Sequence, residues 1–220
     1  MTRIPSIVVV VLFQMRFSHA RSTEESTYST KPFEENDTYF CYQYAEDAVQ
    51  IDGKIYVIKQ NFNSTLPPLC DSAERVQEIS DTNYVFTLAA VIPQLNRTLV
   101  KFNTSLVLSK TGKHDKYNAM TYRYATTEQP KLRKLMYLSP TKECMIFVDD
   151  RNSTDRARCQ LFQPAAYANG TIPSDCESVY KQNCPGSEVT VYYPFCQGLR
   201  EISLEDLMKM MNTTGASKQC

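Results

Sequence analysis

Cys144-Met145-Ile146-Phe147, Cys159-Gln160-Leu161-Phe162, Cys176 and Cys184 on either side of Tyr180, and Tyr192-Tyr193 before Cys196 form the stretch that decides the fold. Cysteines this dense, separated by strand-like and helix-like segments, mark a covalently stapled extracellular β-domain. All 8 cysteines of the 220-residue chain (Cys41, Cys70, Cys144, Cys159, Cys176, Cys184, Cys196 and Cys220) follow residue 20. An even count of this kind reads as disulfides, and spacing alone leaves on the order of a hundred pairings open.

The compartment is read from the other end of the chain. Arg3, the apolar run Ile7–Phe13 and the small-x-small Ser18-His19-Ala20 form a secretory signal over residues 1–20. Gln14 and Arg16 interrupt that run well short of the ~20 residues needed to span a bilayer. Seven Asn-x-Ser/Thr sequons, at Asn36, Asn63, Asn96, Asn103, Asn152, Asn169 and Asn212, agree with secretion. Asn96 and Asn103 are an odd number of residues apart, so an unbroken strand cannot point both outward. The leader holds Arg3 and Arg16 of the 24 basic residues and none of the 24 acidic ones, leaving a mature net charge of −2. That balance offers nucleic acid no basic footprint, and no basic helix suggests membrane insertion. A soluble, secreted monomer without cofactor or metal is expected.

Residues 21–37, rich in Ser, Thr and Glu, read as a flexible leader, 38–198 as the domain, and 199–220 as a peripheral tail. A short helix is expected within Tyr39–Gln50, ended by Asp52-Gly53. Segments of period-two or continuous apolar character then follow at roughly ten-residue spacing: 54–62, 70–79, 84–92, 98–109, 118–126, 132–138, 144–148 and 157–162. Turns join them without helices, so the pattern predicts an eight-stranded antiparallel up-and-down barrel, which removes sheet edges and leaves room for one small ligand. Ser174-Asp175-Cys176-Glu177 has the form of a capping box, and Cys176, Tyr180 and Cys184 fall on one face of the helix it would open. Val189–Tyr193 reads as a further short strand, and Ser203-Leu204-Glu205-Asp206 as a second helix start.

These residues resemble the tick salivary lipocalins, the family of the histamine-binding proteins. The resemblance spans residues 39 to 196. It is carried by Glu46-Asp47-Ala48, Tyr56-Val57-Ile58-Lys59, Ser109-Lys110-Thr111-Gly112 followed by Tyr117-Asn118-Ala119-Met120-Thr121-Tyr122, and the cysteine series. It implies an all-β lipocalin barrel with a short N-terminal helix and a C-terminal helix docked outside, secreted in saliva to sequester host mediators such as histamine, serotonin or leukotrienes. Some members instead bind host proteins, including complement components. It also implies the disulfides Cys70–Cys196, Cys144–Cys176 and Cys41–Cys184, with Cys159–Cys220 the remaining pair. Amine-binding members carry Asp-Ala-Trp in the early helix and Glu-Leu-Trp after the fourth cysteine. Here these read Asp47-Ala48-Val49 and Gln160-Leu161-Phe162, and the chain has no tryptophan. An amine cation in a dry cavity needs a carboxylate and gains from an indole face, and an amide cannot neutralise it. These departures from the family's amine motifs, with an interior expected to be aromatic and Met-bearing, point to a hydrophobic or lipid ligand (eicosanoid, fatty acid or sterol), with a biogenic amine or a host protein as alternatives.

Candidate ligand-binding residues are Asp47, Tyr56, Phe86, Tyr122, Tyr124, Phe147, Gln160 and Phe162, with Tyr137 a further aromatic. Each has a plainer reading: Asp47 as a surface or capping residue, Gln160 as solvated, the aromatics as core packing. Arg75 and Arg123 are possible carboxylate partners, although Arg123 faces away if Tyr122 and Tyr124 face in. A host protein would meet a bare loop, such as His114 with Lys113 and Lys116. Catalysis is not expected: His114 is the one histidine after the signal, and no nucleophile elbow, His-Glu-x-x-His or phosphate loop is present.

Overall fold

The structure is a computed structural model that describes residues 31–64, 67–95, 97–151 and 156–215. The expected secretory signal, Asn96, Asn152 and Cys220 lie outside the described residues.

Alternating apolar segments become strands where one face can be buried, and eight do so here. They are β1 (Lys54–Gln60), β2 (Ser72–Ser80), β3 (Asn83–Val91), β4 (Leu99–Ser109), β5 (Ala119–Tyr122), β6 (Lys131–Leu138), β7 (Met145–Asp149) and β8 (Cys159–Pro164). Each pairs antiparallel with the next, and β8 returns to β1, so the sheet closes as an up-and-down barrel. β9 (Val189–Thr190) adds to β1, and β10 (Glu201–Ser203) runs parallel to the start of β4. The helices are α1 (Ala45–Val49), α2 (Ser174–Asn183) and α3 (Leu204–Gly215).

Three apolar clusters follow from this closure. The barrel interior joins Val57, Phe86, Leu106, Met120, Leu135, Met145 and Phe162 to Ala45, Ala48 and Val49 of α1, which stoppers one end. Outward residues of β6–β8, including Met136, Ile146, Val148 and Leu161, pack beneath α2 around Tyr180. A third cluster on the outer wall gathers Tyr56, Ala89, Leu99 and Tyr192 beside Cys70–Cys196.

Disulfides fasten the two outer layers. Cys70 pairs with Cys196 and Cys144 with Cys176. The expected Cys41–Cys184 and Cys159–Cys220 pairs are replaced by Cys159–Cys184, at a Cα–Cα distance of 5.9 Å. Strand parity gives the reason: Cys159 and Leu161 both face out of β8 into the cluster under α2, where the end of that helix delivers Cys184. Cys41 is exposed and pairs with none of the described cysteines.

Other expectations also shift. The leader does not stay loose through residue 37: Phe33–Glu35 and Asp37–Tyr42 are 3₁₀ turns. Phe33 stacks on Tyr39 and Glu34, 1% exposed, pairs with Arg151 at 2.8 Å. A carboxylate this buried needs such a partner. No capping box opens α2. Ser174 is already helical and makes no cap, Asp175 accepts from the Tyr137 hydroxyl, and Glu177 pairs with Lys59 at 2.8 Å. Ser203 does cap α3, accepting from the Asp206 backbone N–H at 3.0 Å. The tail expected to be peripheral enters the sheet as β10. The sequon conflict disappears because β4 starts only at Leu99. Asn63, Asn103, Asn169 and Asn212 are exposed, and Asn36 is partly buried.

Non-reducing peptide mapping is expected to recover Cys159 joined to Cys184. Replacing both by serine should lower unfolding free energy by about 3 kcal/mol in denaturant melts, the chain-entropy value for a loop of this length. Recovery of a Cys41–Cys184 peptide would contradict the register of β8 against α2.

Candidate functional site

The barrel interior is not filled. Toward the loop end, opposite α1, lies a cavity of about 320 Å³ whose wall includes Val57, Asp71, Leu88, Phe102, Tyr122, Tyr124, Gln160, Phe162 and Leu204. A second space of about 40 Å³ lies toward α1, bounded by Val49, Ile55, Phe86, Leu106, Met120 and Phe147. Ala73, Leu88, Tyr122 and Phe162 border both and form a waist between them. Apolar walls with few polar groups are the usual construction of a small-molecule site.

Cross-strand register determines which side chains enter. Directly opposed residues share a face, so Met120 opposite Leu108 and Arg133 opposite Met120 all point inward, as does Asp149 opposite Arg133. Arg133 is thus carried into the barrel with no exposed surface. Its Nε donates to Asp149 Oδ1 at 3.1 Å, and its Nη1 to Gln160 Oε1 at 2.7 Å and the Tyr122 hydroxyl at 3.3 Å. Nη2 is buried without a hydrogen-bond partner, as is the nearby Tyr124 hydroxyl. The guanidinium lies 5.2 Å from the Tyr124 ring centre and 5.9 Å from those of Phe147 and Phe162. Gln160 is held in turn, its Nε2 donating to Gln60 Oε1 at 2.8 Å.

Electrostatics keep this group charged. Burial opposes the Arg133 charge, but the oxygens of Tyr124 and Tyr122 and the Asp149 carboxylate outweigh it and hold its pKa above the ordinary arginine value. Asp149 is shared with Arg158 at 3.1 Å, so one carboxylate serves two guanidinium groups. Burial raises the Tyr124 pKa well above normal, which leaves its hydroxyl protonated and able to donate. At the cavity wall Asp71 is pushed by burial to about 6, against a backbone N–H at Leu69 that pulls it down. Among the described residues, Asp71 is the cavity's one acidic lining residue.

The sequence candidates are sorted by this geometry. Tyr122 and Phe162 form the waist, Tyr124 and Gln160 line the larger cavity, and Phe86 and Phe147 the smaller. Tyr56 lies on the outer wall against Tyr192, ring centres 4.9 Å apart. Tyr137 also faces outward: the register slips between Leu135 and Tyr137, and this bulge moves it beneath α2. Asp47 is a surface residue paired with Lys142 at 3.0 Å. Arg75 is engaged by Asp52 and Glu78, and Arg123 is exposed. His114 is no loop-tip contact but a buried joint, its ring nitrogens 2.9 Å from Thr111 O and 2.8 Å from Gln43 Oε1. Sequence reading missed Arg133, Asp71, Asp149 and Leu204. For Arg133 a signal existed, since Arg133 and Leu135 share parity, but an arginine within a strand reads as solvent-facing.

A closed eight-stranded barrel with helices outside it and an apolar, partly polar-tipped cavity defines a lipocalin-type ligand carrier. The sequence profile described as "Tick histamine binding protein" matches residues 25–198, and the chain belongs to that family. Similar solved structures include the AM182 serotonin complex, with 12% identity, TM-score 0.52, and coverage of 69% of this chain and 91% of that one. Insecticyanin from the tobacco hornworm Manduca sexta shares 11% identity at TM-score 0.52, over 74% of this chain and 89% of its own. Japanin from Rhipicephalus appendiculatus bound to cholesterol gives 11% identity and TM-score 0.47, over 66% and 94%. No curated protein sequence matches the chain.

Asp71 gives a pH signature. A carboxyl whose folded pKa is raised from 3.8 to about 6 holds its proton longer in the folded state, so its contribution to stability falls as pH rises between those values. Asp71→Asn is therefore expected to gain stability relative to wild type at pH 7.5 but not at pH 4, by at most about 3 kcal/mol. Urea melts at both pH values check this, and an equal effect at each would contradict it.

Proposed function

We propose that the protein is a secreted carrier that sequesters an amphipathic lipid with an anionic head, a fatty acid or eicosanoid, and so removes a host inflammatory mediator. The observation that carries this reading is Arg133: a buried guanidinium inside an apolar barrel with one nitrogen unpartnered, next to the unpartnered Tyr124 hydroxyl. A carboxylate would accept from both, and charge-assisted bonds of this kind are the strong ones. The apolar tail would occupy the cavity lined by Leu88, Phe102 and Phe162. Secretion is supported by the leader and by the disulfides.

The amine reading rests on Asp71, and AM182 was solved with serotonin. It is the weaker reading, because the same cavity borders the partners of a buried cation. The Gln160 position, where amine-binding members carry a carboxylate, is within 2.7 Å of Arg133. Gln160→Glu would neutralise that guanidinium before it could meet an amine. The double variant Gln160→Glu, Phe162→Trp is thus expected not to bind histamine in calorimetry, and submicromolar binding would refute the assignment of Arg133 as the controlling charge.

Native mass spectrometry of the secreted protein, with lipid extraction, is expected to show a co-purified fatty acid or eicosanoid. Arg133→Met keeps an apolar stem while removing the charge. It should weaken binding of the fluorescent fatty acid cis-parinaric acid by about 10- to 100-fold, the value of a charge-assisted hydrogen bond. Its alcohol analogue should lose far less. Equal losses for acid and alcohol, with the fold intact by circular dichroism, would dismiss Arg133 as the head-group site.

A further inference from the structure

β4 is the longest strand of the barrel, and its two edges are unequal. Along one edge β3 follows it from Leu99 to Val107. Along the other, β5 pairs only with Val107–Ser109, because β5 itself ends at Tyr122. The barrel wall therefore has a seam on the loop side of β4. β10 fills the outermost part of it, pairing Glu201, Ile202 and Ser203 with Leu99, Val100 and Lys101. The registers leave Phe102–Leu106 without a strand partner on that edge, and α3 starts there.

The seam leads into the ligand space. Phe102, Thr126 and Leu204 line both the main cavity and an adjoining surface pocket that continues to Ser203, Glu205 and Met208. Leu204, first residue of α3, stands between inside and outside. The family match ends at residue 198, just before this segment. We propose that Glu201–Gly215 is the gate of the barrel: it seals the β4–β5 seam, and ligand enters and leaves through that seam when the segment detaches. The gating role rests on the reading of the cavity as a lipid site, whereas the seal does not.

The attachment suits an element that opens locally. Only three residues of β10 pair with β4, and on α3 Leu207 is buried at 7% exposure while Met208 is 56% exposed. Segments with few buried contacts open first, well below global unfolding. A clasp adds to the short ladder: Glu201 accepts from Lys101 at 2.8 Å and from Lys54, joining β10 to two strands of the outer wall. Bound to Lys101 and Lys54, the Glu201 carboxyl has its pKa lowered and stays ionised near neutral pH.

Two measurements test the gate. Stopped-flow release of cis-parinaric acid is compared between the full chain, a chain ending at Arg200, and full-length Glu201→Lys, which sets like charges against Lys54 and Lys101. Release and uptake are both expected to accelerate about tenfold in the shortened chain, and in the same direction in Glu201→Lys, so that Kd moves less than either rate. Unchanged rates in folded variants overturn the proposal, and Glu201→Lys decides the matter if the shortened chain does not fold. The second measurement needs no ligand. Because the protein has no tryptophan, Leu204→Trp places a single reporter at the seam, expected to emit in the blue and resist acrylamide quenching. Fully quenchable emission overturns the seal. If the full chain takes up no parinaric acid while the reporter is shielded, the lipid reading fails and the seal stands.

Discussion

Arg133 has no contact with water, and a guanidinium in that position costs several kcal/mol unless its surroundings compensate. Much of the interior can be understood as that compensation. Asp149 comes opposite it on β7, Gln160 reaches it from β8, and Tyr122 from β5, so three strands supply its partners. Gln60 on β1 then fixes the Gln160 amide. The constraint is geometric as well as electrostatic: only a barrel closed in this register brings those four strands to one point. One nitrogen of the guanidinium is left without a hydrogen-bond partner, and the head-group role proposed for Arg133 rests on it.

Closure itself rests on limited pairing. The β4–β5 junction has three register pairs, against nine between β3 and β4. Further ties on the wall come from outside the barrel. Two disulfides hold α2 to β7–β8, a third ties the β1–β2 connection to the segment after α2, and β10 covers what β5 leaves open. Disulfides act mainly by limiting the unfolded chain, so the barrel need not be fully packed to be stable. An unfilled interior is compatible with that arrangement, as well-packed cores seldom leave a space of 320 Å³.

Much of this fold was legible in the residues. All eight barrel strands fall where alternation and turn residues place them, most within two residues, because one buried face imposes a period of two. The exception is β5, expected to run to Thr126 and ending at Tyr122, and the seam exists because of that shortening. The site was legible only by parity, which carries no information about bulges. Tyr56 faces out because its neighbours Ile55 and Val57 face in, and the bulge after Leu135 sends Tyr137 to the outer wall.

The sequence by itself determined the periodicity, the paired cysteines as a class, the family, and the loss of the tryptophans and of one carboxylate from the amine motifs. Those are local properties, fixed by residue type and spacing. Tertiary structure alone decided that Cys159 meets Cys184, that Arg133 rather than Arg75 or Arg123 is buried inside the barrel against residues that line the cavity, and that the tail completes the wall. Each of these depends on strand register and on contacts between residues far apart in the chain. A one-residue slip or a single bulge reverses the face of every side chain beyond it, and no local pattern records that choice.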